Sequence, residues 1–357
     1  MSQPKLSLEE VRDNARVRLK GICGVYRSCD GTEPRLCQGH SYGSPIGIGG
    51  IGSGASFANN VESLKRLHIK TQLSGKDFTP DTQYVFFGHA LSMPVMGASV
   101  SGVNSFGGES VITEMDFCRS VVQGCKEAGT LGWRGDSFNY SLENHYGIKS
   151  IAEVQGHGVQ IIKPRSQDAI IKFFAQAEIS GCVAVGVDLD GCGSYAMAKH
   201  HQPVFRKSPA ELKELVASTS LPVIFKGIMC ARDAEIAAES GAAVICVSNH
   251  GGRVLDHTPG VAEVLPSIVK AIGKSKMIIA DGGIRNGYDV LKMLALGAEA
   301  VLVGRDIVRA AVGNGSDGVY VQMETLRDDL SKAMKMTGCK TIGDITPDVL
   351  CQGYGLA

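Results

Sequence analysis

The run Ser248-Asn249-His250-Gly251-Gly252-Arg253-Val254-Leu255-Asp256 places a histidine three residues before an arginine, directly after the apolar segment Ala243 to Val247. Such a segment reads as a buried parallel strand, so His250 and Arg253 would stand at its carboxyl end. Histidine takes a proton near neutral pH and the arginine fork grips a carboxylate, a pairing suited to an anionic substrate that must lose a proton. Asp188, near the close of the apolar run Val183 to Leu189, could orient and stabilise a protonated histidine, or simply cap a turn. Lys226 stands alone as a charge within Pro222 to Ile228 and is costly to bury without an anionic partner.

Two later runs carry glycine and arginine at their ends, Asp281-Gly282-Gly283-Ile284-Arg285 and Gly304-Arg305. Glycines at strand ends let backbone N–H groups approach a phosphate, and arginines neutralise it with paired bonds. In a barrel of alternating strands and helices, the loops after the seventh and eighth strands are the usual phosphate site. A reduced flavin, negatively charged at its ring edge, is one anion that would partner Lys226.

These residues need elements to hold them. From Pro94 onward, eight β-rich apolar runs alternate with helical patterns: Pro94 to Val100, Gly129 to Trp133, Gly158 to Ile162, Val183 to Leu189, Pro222 to Ile228, Ala243 to Val247, Met277 to Ala280 and Ala300 to Val303. Segments such as Arg232 to Ser240 and Gly287 to Leu296 repeat apolar residues at helical spacing and end near glycine. Alternation means parallel pairing through crossovers, and eight units predict an α/β fold closed as a TIM (β/α)8 barrel. An open doubly wound sheet would allow the same alternation, but its G-x-G-x-x-G fingerprint after a first strand is missing. Gly47, Gly49 and Gly52 match that spacing without a strand before them, and read as a flexible or close-packed loop. Residues 1–91 are expected to form an N-terminal helical and irregular extension packing on a barrel of residues 92–357, a single domain overall. Val319 to Ala357 reads as closing helices.

A chain of 357 residues suits one such domain. Lysine plus arginine equal aspartate plus glutamate at 36 each, so no global field points to nucleic acid or a membrane surface, and the expected partner is a small molecule. Met1 to Asn14 lacks the apolar core of a secretory signal and no run is apolar enough to span a bilayer, so a cytoplasmic location is expected. The 11 cysteines, odd in number and scattered among buried-looking strands, argue for reduced thiols. Cys23, Cys29 and Cys37, with His40 close behind, could hold zinc or an iron–sulfur cluster. Lacking any C-x-x-C pair, they read as free cysteines, and no metal is expected.

Lys226-Gly227, the Ser248–Asp256 run, Asp281 to Arg285 and Gly304-Arg305, in this order, resemble the signature of the FMN-dependent α-hydroxy-acid oxidase and dehydrogenase family, which includes glycolate oxidase and lactate oxidase. The resemblance is close from about Leu221 to Gly304 and weakens toward the N-terminus. It implies FMN as cofactor and oxidation of a 2-hydroxy acid to the 2-oxo acid, with hydride passing to flavin N5. His250 would be the base, Arg253 would hold the substrate carboxylate, Asp188 would support the imidazolium and Lys226 would stabilise the reduced flavin. Gln160 matches the family's flavin-contacting glutamine and Ser248 its serine beside the ring, with His250 and Arg253 also bordering the cofactor. Ala98, Ser99, Val100 and Ser101 match the first-strand backbone that packs on the isoalloxazine. Asp281, Gly282, Gly283 and Arg285, with Gly304 and Arg305, would hold the phosphate. A homo-oligomer, tetramer or octamer, is implied as well.

The departures fall where the substrate sits. Ile162 stands where the family has a tyrosine, Ser99-Val100-Ser101 replaces proline-threonine-alanine, and Leu189 to Gln202 contains no arginine where paired arginines are usual. Gly47 or Ile48 occupies the place of an N-terminal substrate tyrosine, and neither Tyr26 nor Tyr42 aligns with it. The flavin half thus looks complete while the substrate half has lost hydroxyl and guanidinium donors, which should change or relax substrate choice. Lactate, glycolate and bulkier 2-hydroxy acids all stay open. Two other readings compete: a different flavin barrel enzyme, such as one like the type 2 isopentenyl diphosphate isomerases, and a non-catalytic flavin-binding module. The Ser248 to Arg253 run speaks against the first, and the joint presence of His250 and Arg253 against the second.

Overall fold

The computed structural model describes residues 6–19 and 49–352. Cys23, Cys29, Cys37 and His40, together with Tyr26, Tyr42, Gly47 and Ile48, lie outside the described residues.

Eight parallel strands close into a barrel in chain order. They are β1 (Val95–Val100), β2 (Gly132–Arg134), β3 (Gly158–Ile162), β4 (Ala184–Asp188), β5 (Val223–Ile228), β6 (Val244–Ser248), β7 (Met277–Asp281) and β8 (Ala300–Val303), with β8 paired to β1. Every expected strand forms, and most ends move by a residue. The largest shift is in β2, because Gly129 is left-handed (φ 72) and closes the preceding helix, which delays the strand.

Strand alternation sends Met96, Ala98, Trp133, Val159, Ile161, Ala184, Ile224, Val244, Cys246, Ile279 and Leu302 into the barrel interior, all of them buried. The amino end is plugged by a hairpin, Tyr84–Phe86 with His89–Leu91, whose Phe86 ring centroid lies 6.4 Å from that of Trp133. Two helices precede the hairpin, α1 (Leu8–Leu19) and α2 (Ala55–Lys65). The outer ring comprises α3 (Glu114–Glu127), α4 (Tyr146–Glu153), α5 (Gln167–Ile179), α6 (Pro209–Ala217), α7 (Ala231–Glu239), α8 (Val261–Ile272), α9 (Gly287–Ala295) and α10 (Arg305–Thr337). A short helix, Tyr195–Lys199, sits in the long connection after β4.

The end of the chain corrects one expectation. Helix α10 breaks at Asn314 and Gly315 (φ 59), and it stops at Thr337 because Gly338 turns left-handed (φ 77). Among the described residues the closing α-helix therefore covers Val319 to Thr337, two 3-10 turns (Ile342–Asp344 and Pro347–Val349) follow, and the chain then returns as Leu350–Gln352, antiparallel to Leu67–Ile69. Among the described residues no helix is long and apolar enough to cross a membrane, and the eight described cysteines are free.

Helix α3 packs against α10 at a point without room for a side chain: a Cβ on Gly124 would lie 2.6 Å from Val319 Cβ. Gly124→Ala is expected to force the two helices apart and cost about 1–3 kcal/mol. The check is a lower urea midpoint at unchanged m-value, and an unchanged midpoint would contradict such tight packing.

Candidate functional site

The inward alternation continues one step past the apolar core and ends in charge. Lys163 follows Ile161, Asp188 closes β4, Lys226 lies on β5, Ser248 closes β6 and Asp281 closes β7. Strand register places Asp188 beside Lys226 and Ser248 beside Asp281. Lys226 Nζ is 3.3 Å from Asp188 Oδ1, 3.3 Å from Asp281 Oδ2, and donates to Ser248 Oγ at 3.0 Å. Burial alone would lower the Lys226 pKa, but the carboxylates of Asp188, Asp281 and Asp190 outweigh it and hold the pKa well above the usual lysine value. Burial likewise works against the Asp188 carboxylate, and its neighbours His250, Lys163 and Lys226 overcome it, so its pKa lies well below the usual range. Asp188 and Lys226 are thus both charged and compensate each other at neutral pH.

His250 stands over this layer in a strained turn. It has φ 57, Gly251 has φ 61 and Gly252 φ 77, so three successive residues are left-handed and only the histidine has a Cβ to make that costly. Its backbone N–H is held by Ser248 Oγ at 3.1 Å. Its Nδ1 lies 3.2 Å from Asp188 Oδ2 and 3.0 Å from Asp190 Oδ1, while Lys163 Nζ lies 3.3 Å from Nε2. Between two carboxylates the proton belongs on Nδ1, which leaves the Nε2 lone pair for proton transfer. Gly227 (φ 90) allows Asp190 to approach, since a Cβ there would lie 2.6 Å from Asp190 Oδ1.

A cavity of about 800 Å³ opens above these groups. One wall is the end of β1, from Ala98 to Gly102, including Ser99, Val100 and Ser101. That end is fixed by buried Glu114, which accepts from the backbone of Gly102 at 2.9 Å and Val103 at 2.7 Å. Lys163, Asp188, Lys226, His250 and Arg253 face the same space, and Phe106, Phe138, Tyr195 and Met197 form an apolar side. Arg253 also donates to Gly49 O at 2.8 Å.

A smaller cleft adjoins it, lined by Asp281, Gly282, Gly283, Arg285, Gly304, Arg305 and Phe57, at the start of α10. Arg305 stacks its guanidinium 3.9 Å above the Phe57 ring and donates to Gly251 O at 2.7 Å. A helix start, glycines and a positioned arginine make an anion site. The described part of the glycine-rich segment, from Gly49, is close-packed, with Ile51 N–H on Gly252 O at 2.8 Å. Helix α2 joins in through Asn60, which bonds Asn249 Oδ1 at 2.8 Å.

The sequence-derived site residues therefore converge, with two corrections. Gln160 does not face the cavity: β3 turns Val159 and Ile161 inward, and Gln160 lies on the outer face donating to the carbonyls of Arg134 and Gly135, each at 3.1 Å. Ile162 shares that outer face, so the residue expected in the place of a substrate tyrosine does not reach the cavity, which Ile161 and Lys163 line instead. Ser248 lies beneath the cavity as the hub joining Lys226, His250 and Asp281. Lys163 and Asp190 escaped the sequence reading. The signal was there, since Lys163 continues the inward alternation of β3 and Asp190 follows Asp188 by two.

A (β/α)8 barrel with a histidine–carboxylate–lysine cluster at the carboxyl ends of its strands, beside a phosphate-type cleft, defines a class of cofactor-dependent enzymes. The family model for FMN-dependent dehydrogenases matches residues 47–196 and 192–352, and the chain belongs to this family. The 4-hydroxymandelate oxidase of Amycolatopsis orientalis is 31% identical over 334 residues, 83% of this chain and 89% of that protein. The 2-hydroxyacid oxidase of Dictyostelium discoideum is 48% identical over 140 residues, but the match spans only 36% of that protein's length and 39% of this chain. A solved mandelate oxidase, crystallised with 2-hydroxy-phenylacetamide, superposes with a TM-score of 0.78 at 27% identity, covering 99% of this chain and 100% of that one.

Asp256 anchors the N-terminal segment to the site. Its Oδ2 accepts from Ser53 N–H at 2.6 Å and Ser53 Oγ at 2.7 Å, and its Oδ1 from His257 N–H at 2.9 Å. Burial opposes ionisation, but these bonds outweigh it and bring the pKa to about 2. Because the folded pKa lies below the unfolded value near 3.9, the stabilisation is present above that value and disappears as pH falls toward 2. The Tm gap between the protein and Asp256→Asn is expected to be full near pH ~6 and to close at about pH 2. A gap independent of pH would refute the ionic anchor.

Proposed function

We propose that the protein oxidises a 2-hydroxy acid to the 2-oxo acid with FMN, using His250 as the base. The observation that carries this reading is the His250 imidazole, fixed by Asp188 and Asp190 on Nδ1 and turned toward a cavity that it shares with Arg253. The donor set suits FMN. A buried ammonium answers the negative charge of a reduced ring, the β1 backbone offers a wall without bulky side chains, and the cleft at α10 offers an arginine to a phosphate. Ala98 to Ser101 and Lys226 would border the ring, and Gly282, Gly283, Arg285, Gly304 and Arg305 the phosphate. FMN, when bound, supplies the two-electron acceptor for the hydride leaving the substrate carbon.

The remaining work falls to the chain. His250 Nε2 takes the hydroxyl proton, and the Asp188 and Asp190 carboxylates offset the charge of the resulting imidazolium. Arg253 binds the substrate carboxylate. The wall of Phe106, Phe138, Tyr195 and Met197 suits an apolar or aromatic substituent, in keeping with relatives named for mandelates. The same reading treats residues 1–91 as an extension on a single barrel domain and, on the strength of the family resemblance, the protein as a homo-oligomer.

The purified protein is expected to be yellow and to bleach anaerobically with at least one of glycolate, lactate and mandelate. If no 2-hydroxy acid reduces the flavin, the reading falls. His250→Ala should lower kcat about 10²–10⁴-fold while FMN stays bound. Arg305→Met, which removes a charge-assisted bond worth about 1.5–3 kcal/mol, should weaken FMN binding roughly ten- to hundredfold in equilibrium dialysis. Unchanged FMN affinity would place the phosphate elsewhere.

A further inference from the structure

Lys163 has no assigned part in the chemistry above, yet it is in contact with the atom that must take the proton. Its Nζ is 2.7 Å from Asp188 Oδ2 and 3.3 Å from His250 Nε2, and its side chain is 12% exposed at the cavity wall. An ammonium offers three donors, and these two partners leave one for an arriving ligand. The contact with Nε2 also cannot persist through turnover, because the imidazole must release that lone pair to accept a proton.

We propose that Lys163 is a substrate-binding residue that, with Arg253, makes the site selective for an acid over its uncharged analogues; the inference rests on the oxidase reading. The substrate hydroxyl replaces the ammonium at Nε2. Lys163 keeps its bond to Asp188 and turns a freed donor to the carboxylate. Once the proton has moved to His250, two cations face each other, the imidazolium and the Lys163 ammonium. A carboxylate beside them compensates that repulsion, and a neutral amide does not. Lys226 is unsuited to the task, being committed to Asp188, Ser248 and Asp281 below. The connection after β4 brings Lys199 to the cavity wall but no arginine, and Lys163, directly after β3, is the cation in contact with His250 Nε2.

The local backbone is shaped for it. A Cβ on Gly191 would lie 2.9 Å from Lys163 Cδ and 2.9 Å from Pro164 Cδ, so the glycine lets the lysine stem run close along the β4 loop. Lys163→Met keeps the stem's bulk and leaves Asp188 paired with Lys226 and His250, so the cluster retains compensation.

The test uses FMN-loaded protein and oxalate, a small dicarboxylate with no hydroxyl proton to lose. Calorimetry on the oxidised protein should give an oxalate Kd roughly tenfold or more weaker in Lys163→Met and largely restored in Lys163→Arg, with FMN content and Tm unchanged. In steady state, Lys163→Met should raise KM for the acid and erode the preference for the acid over its 2-hydroxy amide. An unchanged oxalate Kd in Lys163→Met overturns the proposal. Should the unaltered protein oxidise no 2-hydroxy acid, the oxidase reading fails by itself, and the oxalate measurement still decides whether Lys163 binds a carboxylate.

Discussion

The structure turns on a compensated set of charges sealed into the carboxyl end of the barrel. Asp188, Lys226 and Asp281 come from three strands, and none could be buried there alone. Removing Lys226 would leave the Asp188 and Asp281 carboxylates without the cation they share, which costs far more than the pair contributes. The strand register that places Asp188 beside Lys226 and Asp281 beside Ser248 is therefore enforced twice, by hydrogen-bonded ladders and by charge. That double constraint lets a reactive imidazole sit on top without the barrel rearranging beneath it.

His250 takes its position from this layer and from backbone strain. The left-handed turn at His250–Gly252 is tolerated because Ser248 holds the His250 N–H and because Gly251 and Gly252 permit contacts with Arg305 and α2 that no side chain would allow. The same turn brings the imidazole, the phosphate-type cleft and the N-terminal segment together. Asp256 and Asn249 then tie that segment down from the β6 loop. A change at Ser53 or Asn60 would thus reach the site through the backbone, without touching a reactive atom.

The fold was legible because it depends on local pattern. Eight apolar runs spaced by helical segments admit few closures, and burial of both sheet faces leaves a clear hydrophobic signature. The hairpin at the amino end was not legible, since its three-residue strands are half-exposed and carry weak alternation. The end of α10 depended on a single left-handed glycine. Within the site, residues on the strongest motif, such as His250 and Arg253, were readable from spacing. Gln160 was misplaced because sequence matching fixes which residue occurs and not which face of a strand it takes.

By itself the sequence determined the barrel, the family and the main chemical groups, since apolar period, glycine placement and charged residues in apolar runs are all one-dimensional features. Only the tertiary structure decided which groups meet. Lys163 and Asp190 lie 87 and 60 residues from His250, and their convergence on its two ring nitrogens follows from parallel strands ending at one level of a closed barrel. Side-chain direction, set by a period of two along each strand, turned Ile161 and Lys163 toward the cavity and Gln160 away from it. Contact across a barrel is a property of closure, and no linear spacing encodes it.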